Sequence, residues 1–322
     1  MMSGPGWHRS AAAIAGVATA AALSSAAYQE ISAARDRRRY PPPGCLVDVG
    51  GRRLHLLAAG QGSPAVVIVP AMCDGVLTWT RVQQALAAGT LACVYDRSGI
   101  GWSDPPPRGG RTPAALADEL HALLAAAPVP VPAVVVGHSL GGVIARQLAV
   151  RHPGDVEGLV LVDSSHEDQA SRRGVEGWEY GRAVYARWML RRQLRPLGLR
   201  RLAADLGLDR ELDAELAREV EPRHAAAARA ETLSTRRRRV FVRESLMMAR
   251  LSGGPPSLGS LPLTVITAGE PLPGWLPMQA ELAGLSDRSR QVTAEGSGHY
   301  VHLDDPDLVA DVIRDMIRAA SG

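Results

Sequence analysis

The chain has 322 residues, 46% of them hydrophobic, with 36 basic residues (all arginine) against 33 acidic ones and a formal net charge of +3. That composition describes a globular chain rather than a disordered one, and the near-balance of charge excludes the uncompensated basic surface of a nucleic-acid binder. The three cysteines, Cys45, Cys73 and Cys93, are widely spaced without a CxxC pair, which excludes a disulfide framework and a cysteine zinc site.

In chain order, the first feature is the uncharged stretch AAAIAGVATAAALSSAA at residues 11–27, preceded by Arg9. Its length and small residues suit a membrane anchor or a cleaved export signal, with a surface arm as the alternative. Membrane association through residues 11–27, and a membrane-anchored or exported location, are the expectation. The arginines at 35 and 37–39 on its far side leave its orientation open. RRRYPPPG at 37–44 is proline-rich and marks the boundary between residues 1–39 and the domain that begins at residue 40.

Beyond it, short apolar runs predict strands at 46–49, 54–57, 66–69, 91–95, 131–136, 158–162, 263–267 and 290–293. Helical patterns at 79–88, 113–126, 140–151, 277–285 and 306–319 separate most of them. Strands alternating with helices predict an α/β fold: a mostly parallel eight-stranded sheet flanked by helices, with an antiparallel start. Between residues 166 and 260 no strand is evident, only arginine- and alanine-rich helical patterns. The expected organisation is a core from 40–165 and 261–322, with 166–260 as a helical insertion after the sixth strand. Within it, RWMLRRQLRPLGLRRLA at 187–203 sets arginines over an apolar underside, either a solvated face or a contact for anionic groups.

The densest chemical signal is VVVGHSLGGVIARQLAV at 134–150, where a strand pattern becomes a helix pattern with almost no turn. Glycines flank Ser139 where such a reversal brings backbones together, which forces the serine into a strained conformation and exposes its hydroxyl. The Leu140 N–H opens the helix beside it and is the first candidate donor to an oxyanion.

A serine nucleophile needs a base, and the chain has nine histidines. His138 diverges from Ser139 on the tight turn; His8, His55, His121, His152, His166 and His224 lie elsewhere in the pattern. His299, in the glycine-containing loop SGHYVHLDDP after the last strand, is the predicted base, with His302 assigned no role. An acid must hold the imidazole. Asp163, ending the sixth strand in GLVLVDSSH, is preferred; Glu270, after the seventh in LTVITAGEPLPG, is the alternative.

These segments together resemble the α/β-hydrolase family with a helical cap, from about residue 40 to the C-terminus. VYDRSGIGWSDPP is similar to that family's loop after the fourth strand, GHSLGG to its nucleophile elbow, and GSGHYVHLDDP to its histidine loop. YPPPGCLVDVGGRRLHL resembles the start of relatives that carry an N-terminal hydrophobic segment. The resemblance implies a second oxyanion donor at the Met72 N–H, although the usual His-Gly-X there reads Pro70-Ala71-Met72. It also finds Leu272 where the family most often has its acid. A serine rather than an aspartate at the elbow implies acyl transfer, ester hydrolysis foremost, on a small-molecule acyl substrate. A proline-releasing aminopeptidase and a non-catalytic ligand-binding protein are the competing readings. Asp96 and Arg97 are expected to pin a loop, and Cys73 to line a wall. No cofactor or metal signature is present, and no nucleic-acid partner is expected.

Overall fold

The computed structural model describes residues 6–107, 109, 111–172 and 198–320. Eight strands form one sheet: β1 (Cys45–Asp48), β2 (Arg53–Ala59), β3 (Val66–Val69), β4 (Ala92–Asp96), β5 (Ala133–His138), β6 (Val156–Val162), β7 (Leu263–Ala268) and β8 (Ser289–Ala294). Their order is β1-β2-β4-β3-β5-β6-β7-β8. The β1/β2 and β2/β4 pairs are antiparallel and every other pair is parallel. The fold class read from the sequence is the one observed.

The sheet forms where it does because its central strands are unbroken apolar runs. Every residue of β3, β5, β6 except Glu157, and β7 is buried, as expected of parallel strands covered on both faces. Val135 packs into the core layer beneath α3 (Pro113–Ala126) and α4 (Leu140–Arg151), whereas Val134 and Val136 pack into the opposite layer. That second layer holds α2 (Thr80–Ala87) and, on the C-terminal helix (Pro306–Ala320), Val309, Val312, Ile313 and Met316, spaced along one helical stripe. Each such side chain contributes roughly 1.5–3 kcal/mol by leaving water. β5 starts at Ala133, not at Val131 as predicted; Val131 is exposed and Pro132 has no N–H for a ladder.

Between β6 and β7 the described residues form helices only: α5 (Gln169–Arg172), α6 (Leu199–Asp205), α7 (Arg210–Glu219), α8 (Ala225–Thr232) and α9 (Thr235–Met248). Of the basic stretch at 187–203, residues 187–197 lie outside the described residues, and 199–203 fall on α6. After β7 comes α10 (Trp275–Ala283); α11 (Val301–Asp304) and α12 (Pro306–Ala320) close the chain.

The N-terminal segment departs from expectation. It is a single helix, α1 (Gly6–Arg39), that runs on past residue 27 and ends at the expected boundary, and its C-terminal part docks on the insertion. Gln29, Ser32 and Ala33 are buried; Gln29 Nε2 donates to the Leu233 carbonyl at 2.8 Å, and Arg201 pairs with Asp36 at 2.6 Å. No helix among the described residues is long and apolar enough to cross a membrane. Alanine and glycine offer little apolar surface per turn, however uncharged the stretch.

One close approach sets the position of α4. A Cβ on Gly141 would lie 1.9 Å from the Val69 carbonyl oxygen, a backbone atom at the end of β3. Gly141→Ala is therefore expected to destabilise the protein by at least the ~1–3 kcal/mol of an overpacked core, read as a lower urea midpoint at an unchanged slope.

Candidate active site

Ser139 stands between β5 and α4 with φ 52° and ψ −118°, a left-handed backbone that only a tightly determined turn sustains for a non-glycine residue. The determinants are local. Its N–H donates to the Val162 carbonyl at 3.2 Å, and its own carbonyl accepts from Gly142 and Ser165, each at 3.0 Å. Gly137 and Gly142 are needed as well, since a Cβ on either would come within 2.6 Å of neighbouring atoms. Ser139 Oγ lies 3.4 Å from Ser165 Oγ. The Leu140 N–H, first in α4, has no acceptor within its own helix and lies at the positive end of the helix dipole.

His299 lies between β8 and α11. Its Nδ1 donates to Asp163 Oδ2 at 2.6 Å. The other carboxylate oxygen, Oδ1, accepts from the Ala268 N–H at 3.1 Å and from Trp275 Nε1 at 2.8 Å. Asp163 is 1% exposed and also adopts positive φ, 38°. Three donors from β7, α10 and the histidine loop thus converge on one carboxylate at the end of β6. With its Nδ1 proton committed to that carboxylate, the neutral ring carries its lone pair on Nε2. Glu270 is exposed in the loop after β7, where its N–H donates to the Ser297 carbonyl at 3.0 Å; it is not brought onto His299 Nδ1. Sequence reasoning missed Trp275 and Ser165. The tryptophan followed Leu272-Pro273-Gly274 with nothing to show where its indole N–H would be aimed.

The remaining histidines separate by partner: His55 bonds Asp96 at 2.7 Å, His121 bonds Asp155 at 2.7 Å, and His152 bonds Asp118 at 2.8 Å. Asp96 also accepts from the N–H groups of Val76 and Trp102, so it fastens loops.

Arg97 does something more specific. Fully buried, it donates to the carbonyls of Pro70 at 2.6 Å and Ala71 at 2.7 Å, the two residues before Met72. Its guanidinium is met by Glu244 of α9 at 3.1 and 3.2 Å, and Arg111 joins the same carboxylate at 2.8 Å. Burial alone would raise the Glu244 carboxyl pKa; the two guanidiniums hold it below its ordinary value. Met72 itself is half-buried, with Ser245 Oγ donating to its Sδ at 3.5 Å. The candidate oxyanion loop is thereby tied through a core arginine to the helical insertion. Glu244→Leu would leave two arginines without their buried counter-charge, and the expected loss is ~3–5 kcal/mol in denaturant unfolding.

Beside this loop a small cavity of about 40 Å³ is lined in part by Asp74, Ile100, Leu216, Glu219 and Arg237. Burial, with Glu215 and Asp74 adding to it, pushes the Glu219 carboxyl from its ordinary 4.5 up to about 7. The folded state therefore holds this proton more tightly than the unfolded state does. Its contribution to stability falls as pH rises through the window between those values and stays at the lower level above it. Glu219→Gln should raise the Tm at pH 8 and leave it nearly unchanged at pH 5; an equal shift at both would refute the assignment.

A mostly parallel sheet covered by helices, with a strained serine turn at the carboxyl end of its central strand and a carboxylate-held histidine in a later loop, defines the α/β-hydrolase class. The family model for the alpha/beta hydrolase fold matches residues 64–306, and the chain belongs to that family, which supports a hydrolase activity. Among relatives, the "Probable transporter efuK" of Hormonema carpetanum is 36% identical over 132 residues, 38% of this chain and 18% of that protein. The chain likewise spans well under half of the next relatives it matches, 21% and 36% of their lengths. The protein YqjL of Bacillus subtilis is 27% identical over 268 residues, 81% of this chain and 87% of that one. The esterase EaEST from Exiguobacterium antarcticum shares the fold at 16% identity, with a TM-score of 0.61 over 85% of this chain and 99% of that one.

Proposed function

We propose that the chain is a serine hydrolase acting on a carboxylic ester or related acyl substrate, with Ser139 as nucleophile, His299 as base and Asp163 as the acid. The observation that carries this reading is the Asp163–His299 hydrogen bond at 2.6 Å, with the carboxylate's second oxygen held from two other elements. That arrangement fixes the tautomer a base requires, at the carboxyl edge of the sheet that also carries the half-buried Ser139.

In the proposed cycle, His299 Nε2 takes the Ser139 hydroxyl proton as Oγ attacks the substrate carbonyl carbon. The Leu140 and Met72 N–H groups receive the developing oxyanion. Collapse of the tetrahedral intermediate expels the alcohol, which takes the proton from His299 and leaves an acyl-serine. Water, deprotonated by His299, then attacks the acyl carbon; the acid is released and Ser139 regains its proton. Asp163 stays ionised throughout and stabilises the imidazolium.

An aminopeptidase would need an acid free to hold a substrate ammonium. The candidates beside the cavity, Asp74 and Glu219, both face Arg237, which keeps the ester reading ahead. A binding protein without catalysis has no need of an armed histidine. The apolar stretch at 11–27, with Ile14, Val17 and Leu23 exposed on α1, keeps association with a membrane and an exported or membrane-bound location within this proposal.

The test is labelling with a fluorophosphonate followed by peptide mass spectrometry, alongside p-nitrophenyl esters and aminoacyl anilides as substrates. Modification at Ser139, lost in Ser139→Ala and slowed in His299→Ala, with turnover of esters over anilides, is expected. Asp163→Asn should lower kcat by about 10⁴-fold, and Glu270→Gln by less than about twofold. Folded protein that neither labels nor turns over an ester would overturn the reading.

A further inference from the structure

Beneath the candidate active site lies a second group of side chains that the proposed reaction does not use. Asp74, in the loop after β3, is 6% exposed; His138, the last residue of β5, and His302, on α11, are 0% exposed. One donor atom from each lies within 4.8 Å of the other two. Asp74 Oδ2 and His302 Nε2 are 3.8 Å apart, too far for a hydrogen bond. Asp74 Oδ2, His138 Nδ1 and both ring nitrogens of His302 have no hydrogen-bond partner among the described residues. Burying even one such group without a partner costs about 1–3 kcal/mol, so a cluster of them calls for something to sit between.

Asp74 and His138 each have their other polar atom occupied, and the His302 ring is held by stacking. Asp74 Oδ1 accepts from the Gly75 N–H at 2.9 Å and the Thr78 hydroxyl at 2.6 Å. The His302 ring lies flat on Trp79, centroids 4.0 Å apart and 2° from parallel. His138 Nε2 donates to the His299 carbonyl at 2.8 Å. A backbone carbonyl accepts only, so the proton is on Nε2 and the lone pair is on the buried, unpartnered Nδ1. A histidine whose second ring nitrogen donates to a backbone carbonyl is the usual state of a metal ligand, because that bond fixes the tautomer and the ring.

Arg237 faces Asp74, Glu219 and its own partner Glu231, with Arg218 also acting on Glu219 and Arg236 on Glu231. Arg97, which also acts on Asp74, is paired with Glu244. Asp74 therefore faces guanidiniums that other carboxyl groups also hold.

We propose that Asp74, His138 and His302 form a binding site for one divalent transition cation of the zinc type. Two imidazole nitrogens and one carboxylate oxygen are ligands such an ion accepts, leaving a fourth position of the tetrahedron for water. Metal–ligand bonds of 2.0–2.2 Å put tetrahedral donors about 3.4 Å apart, so Asp74 and His302 need to close by about 0.4 Å and the widest pair by up to about 1.4 Å. The bound ion would stiffen His138 and, through its hydrogen bond to the His299 carbonyl, the loop that carries the proposed base. The site stands independently of the roles assigned to Ser139 and His299.

The experiment uses the full chain, stripped with chelator and titrated with Co²⁺ and Zn²⁺. The expected result is one equivalent per chain, visible absorption from tetrahedral Co²⁺, and a higher Tm with metal. His302→Gln and Asp74→Asn should each weaken binding by more than about 100-fold, since losing even an outer-shell partner weakens it 10–100-fold. The double variant His121→Gln/His152→Gln removes the partly exposed stacked pair on the far side of α3 and α4 and should bind as the parent does. Should the ligand variants fail to fold, X-ray absorption on the zinc-loaded parent chain should give two imidazole scatterers. No stoichiometric metal, metal that survives both ligand substitutions, or a spectrum without imidazole would each overturn the site and leave a buried water between these groups. Fluorophosphonate labelling of Ser139, scored on the stripped protein, keeps this outcome separate from that of the proposed hydrolase.

Discussion

The carboxyl edge of the sheet depends on how tightly the N-terminus of α4 is pressed against the ends of β3, β5 and β6. Glycine at 137, 141 and 142 lets backbone meet backbone there, and Ser139 takes a left-handed conformation because the chain has nowhere else to go. The strain is sustained by hydrogen bonds on both sides of the serine. The same helix holds the loop that follows Asp163. Arg146, buried one and a half turns further along α4, donates to Ser164 Oγ at 2.8 Å, the Ser165 carbonyl at 2.9 Å and Glu167 at 2.9 and 3.0 Å. A single rigid element thus fixes the serine directly and, through one side chain, the loop just past Asp163.

Buried charge plays the corresponding part on the other side of the site. The Arg97–Glu244–Arg111 group is worth little as net stability, since desolvating three charges offsets most of their attraction. Its effect is positional. Arg97 uses its remaining donors on the Pro70 and Ala71 carbonyls, so α9 of the insertion and the loop after β3 cannot move apart without exposing an unpaired buried ion. The insertion is a structural partner of the candidate oxyanion loop, and changes within α9 would be felt there without any contact to substrate.

Much of this was legible in the sequence, and the division tracks contact distance along the chain. Eight strands could be read because valine-rich runs bounded by glycine and proline report their own burial. The elbow could be read because a period of two becomes a period of 3.6 across a single serine. The choice between Asp163 and Glu270 was harder, since both come after a strand; it turns on where Ala268 and Trp275 aim their N–H groups, which are more than a hundred residues from Asp163. Glu244 lies 147 residues from Arg97 and sits in a run of arginines that reads as a solvated helix face. The docking of α1 was hidden for a similar reason. Gln29 and Asp36 are ordinary surface residues until Leu233 and Arg201, more than 160 positions away, come beneath them.

The departure of Pro70-Ala71-Met72 from the family's His-Gly-X has its cause in the same network. A glycine is needed in such a loop where the backbone turns left-handed, yet among the described non-glycine residues only Cys73, Ser139 and Asp163 do so. Ala71 does not, and its side chain is 4% exposed, packed rather than strained. The left-handed step falls instead at Cys73, whose carbonyl accepts from Arg237 of α9. With Arg97 gripping the two carbonyls before Met72 and Arg237 the one after it, guanidiniums from the core and from the insertion hold the loop without a glycine at 71. The identity of residue 71 is then free to change, provided that both arginines keep their carboxylates, Glu244 and Glu231.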